Sequence, residues 1–239
     1  MANYRIESDL LGPREVPAEA LYGVQTLRGM ENFHISGAKL SDYPSFIKGL
    51  AITKKAAAIA NEKVGMVTKE QCDAIVKACD ELLEGKHHEH FPVDMIQGGA
   101  GTSTNMNANE VIANRALEIM GKERGQYEFC SPNDHVNGSQ STNDAYPCGI
   151  HMAMYMEHLE FIGHIEMVIE SLEKKAKEFE RIIKMGRTQL QDAVPMTLGQ
   201  TFGGFAATLR LEIENLKAAA QEFLVVNMGA TAIGTGICS

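Results

Sequence analysis

The longest apolar rhythm in the chain is Ile162, Ile165, Ile169, Leu172, Ala176, Phe179 and Ile183, in steps of three and four. Such spacing keeps one narrow stripe on one face of a helix, the seam of a coiled coil or helical bundle. It predicts a helix over about 150–184, about 52 Å long at about 1.5 Å per residue. A second stripe of Phe202, Ala206, Leu209, Ile213, Leu216, Ala220 and Phe223 predicts an antiparallel partner. Two helices with such narrow seams cannot close a core alone, so further helices or other subunits are expected to cover them.

Upstream the rhythm is shorter. Ile47, Leu50, Ala51, Ala57, Ala58 and Ala60 predict a helix over 46–64, stopped near Gly65, and Cys72, Ile75, Ala78, Cys79, Leu82 and Leu83 predict another from Thr68 to Gly85. A third is expected from about Asn107 to Met120, ended by Gly121. Before residue 46, Gly12, Pro13, Pro17, Gly23, Gly37 and Pro44 punctuate the chain, and an extended arm with short turns is expected.

Three polar segments interrupt these patterns. The most concentrated runs from Ser139 through Gln140, Ser141, Thr142 and Asn143 to Asp144, just ahead of the longest helix. Ser, Thr, Asn and Asp satisfy the orphan N–H groups of a first turn, and Pro is tolerated there because its missing donor would have had no partner. Pro147 is therefore expected in the first turn of a helix capped within 141–144. One such residue suffices for a cap, and six in a row suit a small anion held at the positive end of the helix dipole. A second segment, Gly98-Gly99-Ala100-Gly101-Thr102-Ser103-Thr104-Asn105, combines glycines with hydroxyls but has no Walker lysine and no preceding strand; an anion cradle and a plain turn are the two readings. Asn107 and Glu110 just beyond it have capping-box spacing. The third segment, Gly186 to Pro195, separates the two long helices.

Composition narrows the partners. The net charge is −9, from 22 Lys+Arg against 31 Asp+Glu, with no basic cluster; nucleic acid and anionic membrane surfaces are not expected partners. The five cysteines form no C-x-x-C pair, which speaks against a disulfide framework or a zinc site and for a cytoplasmic setting. The N-terminus lacks the apolar stretch of a signal peptide, and no run approaches the roughly 20 apolar residues of a membrane span. His87, His88, Glu89 and His90 lie in a short segment without helical i, i+4 ligand spacing, so a solvated surface turn is expected and no metal ligand is assigned. His151, His158 and His164 are expected at the surface or seam edge, and Met152, Met154, Met156 and Met167 as bundle filling.

With these segments in view, the chain closely resembles the aspartase/fumarase superfamily, and within it the aspartate ammonia-lyases. The resemblance rests on 98–107 (Gly98 to Asn107), 139–144 (Ser139 to Asp144) and 186–195 (Gly186 to Pro195), with Arg5-Ile6-Glu7-Ser8-Asp9-Leu10-Leu11-Gly12 and the stretch Gly229 to Gly236 in further agreement. It implies a mainly α fold: a small N-terminal domain, 1–140, then 141–239 as the first part of a central long-helix bundle that assembles into a homotetramer with shared sites. It implies reversible elimination of ammonia from L-aspartate to give fumarate, through an aci-carboxylate and without an organic cofactor. Matching motifs make Thr102, Ser141, Thr142, Asn143 and Thr188 the implied substrate contacts, Asn143 toward the amino group and Thr188 toward a carboxylate. Fumarases carry a histidine where this chain has Gln189, and another at the start of the turn Ser131-Pro132-Asn133-Asp134. The family's serine base lies on a Gly-Ser-Ser loop, expected beyond Ser239, so no general base is nominated here. A fumarate hydratase or other lyase of the superfamily, and a non-catalytic oligomerising fragment, are the alternatives.

Overall fold

Residues 4–17 pair rather than run as an open arm. In the computed structural model, which describes residues 3–237 and Ser239, β1 (Tyr4–Asp9) and β2 (Gly12–Pro17) form an antiparallel hairpin with Asp9 opposite Gly12. Met1, Ala2 and Cys238, part of the N-terminal and cysteine expectations above, lie outside the described residues. The hairpin escaped the sequence reading because its inward residue on β1 is Glu7, not a hydrophobe, and its turn is Leu10-Leu11 rather than an Asn-Gly or Asp-Gly pair. A nine-residue helix, α1 (Val24–Asn32), follows; its N-cap Gly23 supplies no side-chain bond, so no capping signal announced it.

The chain divides into two compact units, one reaching Met154 and including Val225–Ser239, the other Tyr155–Leu224. In the first, α2 (Pro44–Lys63), α3 (Lys69–Leu83) and α4 (Thr102–Ile119) close one apolar core. Ile47, Leu50 and Ala58 of α2 meet Ile75, Cys79 and Leu82 of α3 and Ile112, Ala116 and Leu117 of α4. Thr68 starts α3 through a full capping box with Gln71, the two side chains bonding each other's backbone N–H at 3.2 and 2.9 Å. Arg115 of α4 ties that helix to α3 by gripping Glu81 at 2.5 and 2.9 Å, and is itself held by Glu118 of its own helix at 2.7 Å.

Helix α4 begins five residues earlier than its apolar pattern indicates. Asn105, Asn107, Asn109 and Asn114 are all buried on it, so amides occupy places where the rhythm looks for hydrophobes. The Asn107–Glu110 capping box is therefore not formed, both residues being inside the helix. Glu110 instead reaches α1, accepting from the backbone N–H groups of Gly23 (2.8 Å), Gln25 (2.7 Å) and Thr26 (3.0 Å). Glu7 accepts from Val24 N–H at 2.9 Å, so two distant carboxylates cap a helix that has no cap of its own.

Helix α5 (Thr142–Glu178) begins eight residues before the expected start and ends six before the expected stop. The second unit contains the predicted seam, with Ile162 and Ile169 of α5 packed on Ala206 and Ile213 of α6 (Leu198–Ala220), flanked by Ile165, Leu172, Leu209 and Leu216. The Phe179 and Phe202 rings stand 5.6 Å apart, and Arg210 bonds Glu173, which fixes the antiparallel sense. Ile183 leaves the seam and is exposed, because residues 183–197 form a hairpin, β3 (Ile183–Thr188) with β4 (Gln191–Thr197). No helix among the described residues is long and apolar enough to cross a membrane. Cys72, Cys79, Cys130 and Cys148 are free and buried.

Candidate functional site

The polar segment 139–144 forms the start of α5. Ser141 is its cap: the Oγ accepts from Asn143 N–H at 3.2 Å, and Asp144 Oδ1 accepts from Ser141 N–H at 2.9 Å. Pro147 then lies in the second turn rather than the first, so the carbonyl four residues back, that of Asn143, loses its helical donor. The side-chain amide of Asn227 replaces it at 3.1 Å.

That replacement is one strand of a larger tie. Asp144, fully buried, accepts at Oδ2 from Gly229 N–H (3.2 Å) and Thr231 N–H (2.9 Å), and Asn143 Nδ2 donates to Ala232 O at 2.7 Å. Residues 227–232 are thereby sewn onto the first turn of α5. Asn143 is itself exposed, and with its amide nitrogen engaged its free acceptor is Oδ1, the atom suited to an ammonium group.

The start of α4 comes to the same place. Gly101, the residue before Thr102, has φ +87°, and a Cβ there would stand 2.3 Å from the Tyr146 ring of α5; only glycine meets both demands. One turn on, Asn105 Nδ2 donates to Thr142 Oγ1 at 3.1 Å. Thr102 is exposed at the first position of α4. Thr102, Ser141, Thr142 and Asn143 thus sit on two adjacent helix N-termini, where hydroxyls, amides and dipole ends favour a carboxylate. Thr188 belongs to the second unit, where it is exposed at the end of β3. The turn after it, Gln189-Leu190, is left-handed at both residues, φ 48° and 67°, a conformation usually left to Gly or Asn.

Residues outside the motifs also enter this region. Lys54 is fully buried, and its Nζ donates to Asn137 Oδ1 at 2.8 Å and Gln140 Oε1 at 2.9 Å. Burial pushes its ammonium down to about 7, while the Asp144 carboxylate favours the charge. A signal existed in the sequence: Lys54 falls on the apolar face set by Ile47, Leu50, Ala51 and Ala58, where the rhythm calls for a hydrophobe.

The histidine-rich turn is less solvated than expected. His87 Nε2 lies 2.9 Å from Glu81, His88 Nε2 2.9 Å from Leu82 O, and His90 Nδ1 receives Leu21 N–H at 3.4 Å. Donor atoms of His87, Glu89 and His90 lie within 4.8 Å of one another. An Nδ1 that accepts leaves the His90 proton on Nε2, the nitrogen that faces Glu89, and so withholds that lone pair from a cation.

Comparison with known proteins bears on this geometry. The chain is 56% identical over 236 residues to an aspartate ammonia-lyase of Escherichia coli (strain K12), with 98% of this chain and 49% of the relative aligned. It is 54% identical over 235 residues to that of Helicobacter pylori (strain ATCC 700392 / 26695), covering 98% of this chain and 50% of the relative. A crystal structure of fumarate lyase:delta crystallin from Brucella melitensis bound to cobalt superposes with a TM-score of 0.92 at 50% identity, over 99% of this chain and 52% of that one. A recombinant class II fumarase from Schistosoma mansoni superposes at 0.88 and 38% identity, over 99% of this chain and 50% of that one. The chain spans about half the length of the curated relatives it matches. A family model described as Lyase matches residues 12–239, and with the helical fold and the paired helix starts in agreement, the chain belongs to that lyase family.

Proposed function

We propose that this chain supplies much of the substrate-binding part of an aspartate ammonia-lyase site, which eliminates ammonia from L-aspartate to give fumarate. The observation that carries the reading is the junction of two helix starts bridged by Asn105 and Thr142, lined with neutral donors in a chain whose identity to aspartate ammonia-lyases reaches 56%. Removing a proton beside the β-carboxylate creates a doubly charged aci-carboxylate. Hydroxyl and amide donors fixed at helix ends hold that charge more tightly than the ground-state carboxylate, which is how they lower the barrier. Thr102, Ser141 and Thr142 act as carboxylate donors, Asn143 Oδ1 accepts from the substrate ammonium, and Thr188 holds a carboxylate in a site shared among subunits. The proton is taken by a base from outside these residues, and no organic cofactor takes part.

In this reading residues 1–140 are the N-terminal lyase domain and 141–239 open the central bundle of a homotetramer, acting in the cytoplasm on a small-molecule substrate. Exposed Leu159, Phe161 and Met167 on α5, with Phe205 and Leu211 on α6, give that bundle an apolar surface to bury. Gln189, in place of the fumarase histidine, favours ammonia-lyase over hydratase.

Fumarate formation, followed by ultraviolet absorbance with L-aspartate and separately L-malate, tests the reading. The chain is assayed alone and after assembly with the downstream half of the Escherichia coli relative. Turnover of aspartate on assembly, with kcat/KM reduced on the order of 10²-fold in Thr142→Ala, is expected. Malate as the preferred substrate, an inactive but folded assembly, or full kcat/KM in Thr142→Ala would overturn it.

A further inference from the structure

We propose that Lys54 is a positioning residue for the polar start of α5: from inside the fold it holds Asn137 and Gln140, and through Asn105 it sets where the Thr142 hydroxyl stands. The inference rests on the reading of Ser141 and Thr142 as substrate contacts.

The connections are short and continuous. Asn137 Oδ1 takes the Lys54 ammonium at 2.8 Å and Asn105 Nδ2 at 3.1 Å; the same Asn105 Nδ2 lies 3.1 Å from Thr142 Oγ1. Asn109 Nδ2 adds a third donor to Asn137 Oδ1 at 3.2 Å, so that one oxygen gathers α2 and two successive turns of one face of α4. The second arm of Lys54 ends on Gln140 Oε1 at 2.9 Å, and Gln140 Nε2 in turn donates to Val136 O and Gly138 O at 2.9 and 3.0 Å. Asn61, two turns along α2, donates to Gly138 O at 2.8 Å. The segment 136–140 is thus pinned from below just before Ser141, where Ser139 is forced to φ 58°.

Stability alone gives little reason for this lysine. An ammonium with no exposed surface loses its hydration, and its two bonded partners are neutral amides, which recover less than a carboxylate would. The titratable groups that act on it are Asp144 of α5 and Cys79 of α3, whose thiol burial pushes up to about 12 and so keeps uncharged. An apolar side chain would fill the same place on α2 at lower cost. What the ammonium uniquely supplies is donors to two side-chain oxygens of the loop that leads into the site. Being fully buried, it cannot meet a substrate, and its effect must pass through Asn137, Asn105 and Gln140.

The assembled enzyme described above provides the test, with Lys54→Met, Asn105→Ala and the double variant compared by kcat, KM and thermal midpoint. Expected for Lys54→Met is a fall in kcat of about 10- to 100-fold with KM changed less than about threefold, since small misplacements of reacting groups act on the barrier. Loss in the double variant should match that of the worse single variant, because both cut one relay. A lysine with only a structural role would lower the thermal midpoint while leaving kcat per folded site unchanged, and its loss would multiply with that of Asn105→Ala; either result overturns the proposal. Should Lys54→Met fail to assemble, Asn105→Ala carries the test by the same kcat and KM criteria. Full activity in Thr142→Ala would instead remove the underlying site reading, whereas impaired Thr142→Ala beside unimpaired Lys54→Met would remove this inference alone.

Discussion

Asp144 gives the sharpest prediction, because three backbone N–H groups converge on its two oxygens. Ser141 N–H occupies Oδ1 at 2.9 Å; Gly229 and Thr231 share Oδ2 at 3.2 and 2.9 Å. Replacement by Asn leaves one acceptor oxygen, and the side chain must choose. Turning that oxygen toward Gly229 and Thr231 keeps two bonds and sets the NH2 against Ser141 N–H, whereas the opposite rotamer keeps one and opposes two donors. The first therefore wins. Hydrogen bonds to a charged group contribute about 1.5–3 kcal/mol each, so Asp144→Asn should cost about 2 kcal/mol, and Asp144→Ala, which strands all three donors, about 4–5 kcal/mol. At about 1.4 kcal/mol per tenfold, amide exchange at Ser141 should quicken roughly 30-fold in Asp144→Asn. Exchange at Gly229 and Thr231 should stay within about threefold. Site-resolved hydrogen exchange with urea denaturation reads both quantities. Unchanged protection at Ser141, or exchange quickening first at Gly229 and Thr231, would refute the argument.

Other perturbations follow from equally local geometry. The Arg115 guanidinium beside Glu81 holds that carboxyl down at about 2, below its unfolded value, so its stabilisation is present above about pH 4.5 and is lost as the pH falls toward 2. Glu81→Gln should therefore lower stability by about 2 kcal/mol at neutral pH, and the gap in urea midpoint should close by more than half near pH 3. Burial holds the Lys54 ammonium near 7 while the unfolded chain keeps its proton to about 10.5. The unfolded state binds more protons in that window, so the wild type should gain stability relative to Lys54→Met as pH rises through it, read as a rise of its urea midpoint relative to the variant's. Gly101→Ala meets both a positive φ and the Tyr146 ring, and should cost about 2–4 kcal/mol by thermal or urea unfolding despite alanine's better helix propensity.

What could be read in advance divides along a physical line. The seam of Ile162, Ile169, Ala206 and Ile213 was legible because apolar burial on a helix leaves a period in the sequence, and the Thr68 and Ser141 caps because a cap bond is local. Helix α1 and the first hairpin were not legible, since Glu110 lies 87 residues from the Gly23 N–H it receives and Glu7 takes the inward place on β1. The early start of α4 was hidden for the same reason: buried asparagines whose amide nitrogens find distant partners look like surface residues to any periodic rule. The candidate site inherits this division. Ser141, Thr142 and Asn143 stood out as a dense polar run, but Asp144's hold on residues 229–231 and the Lys54–Asn137–Asn105 relay join parts of the chain that only folding brings together. Lys54 on an apolar stripe was the one visible trace of that relay. A charge where the helical period requires a hydrophobe marks either an error in the predicted face or a polar network beneath it, and here the fully buried position leaves only the second.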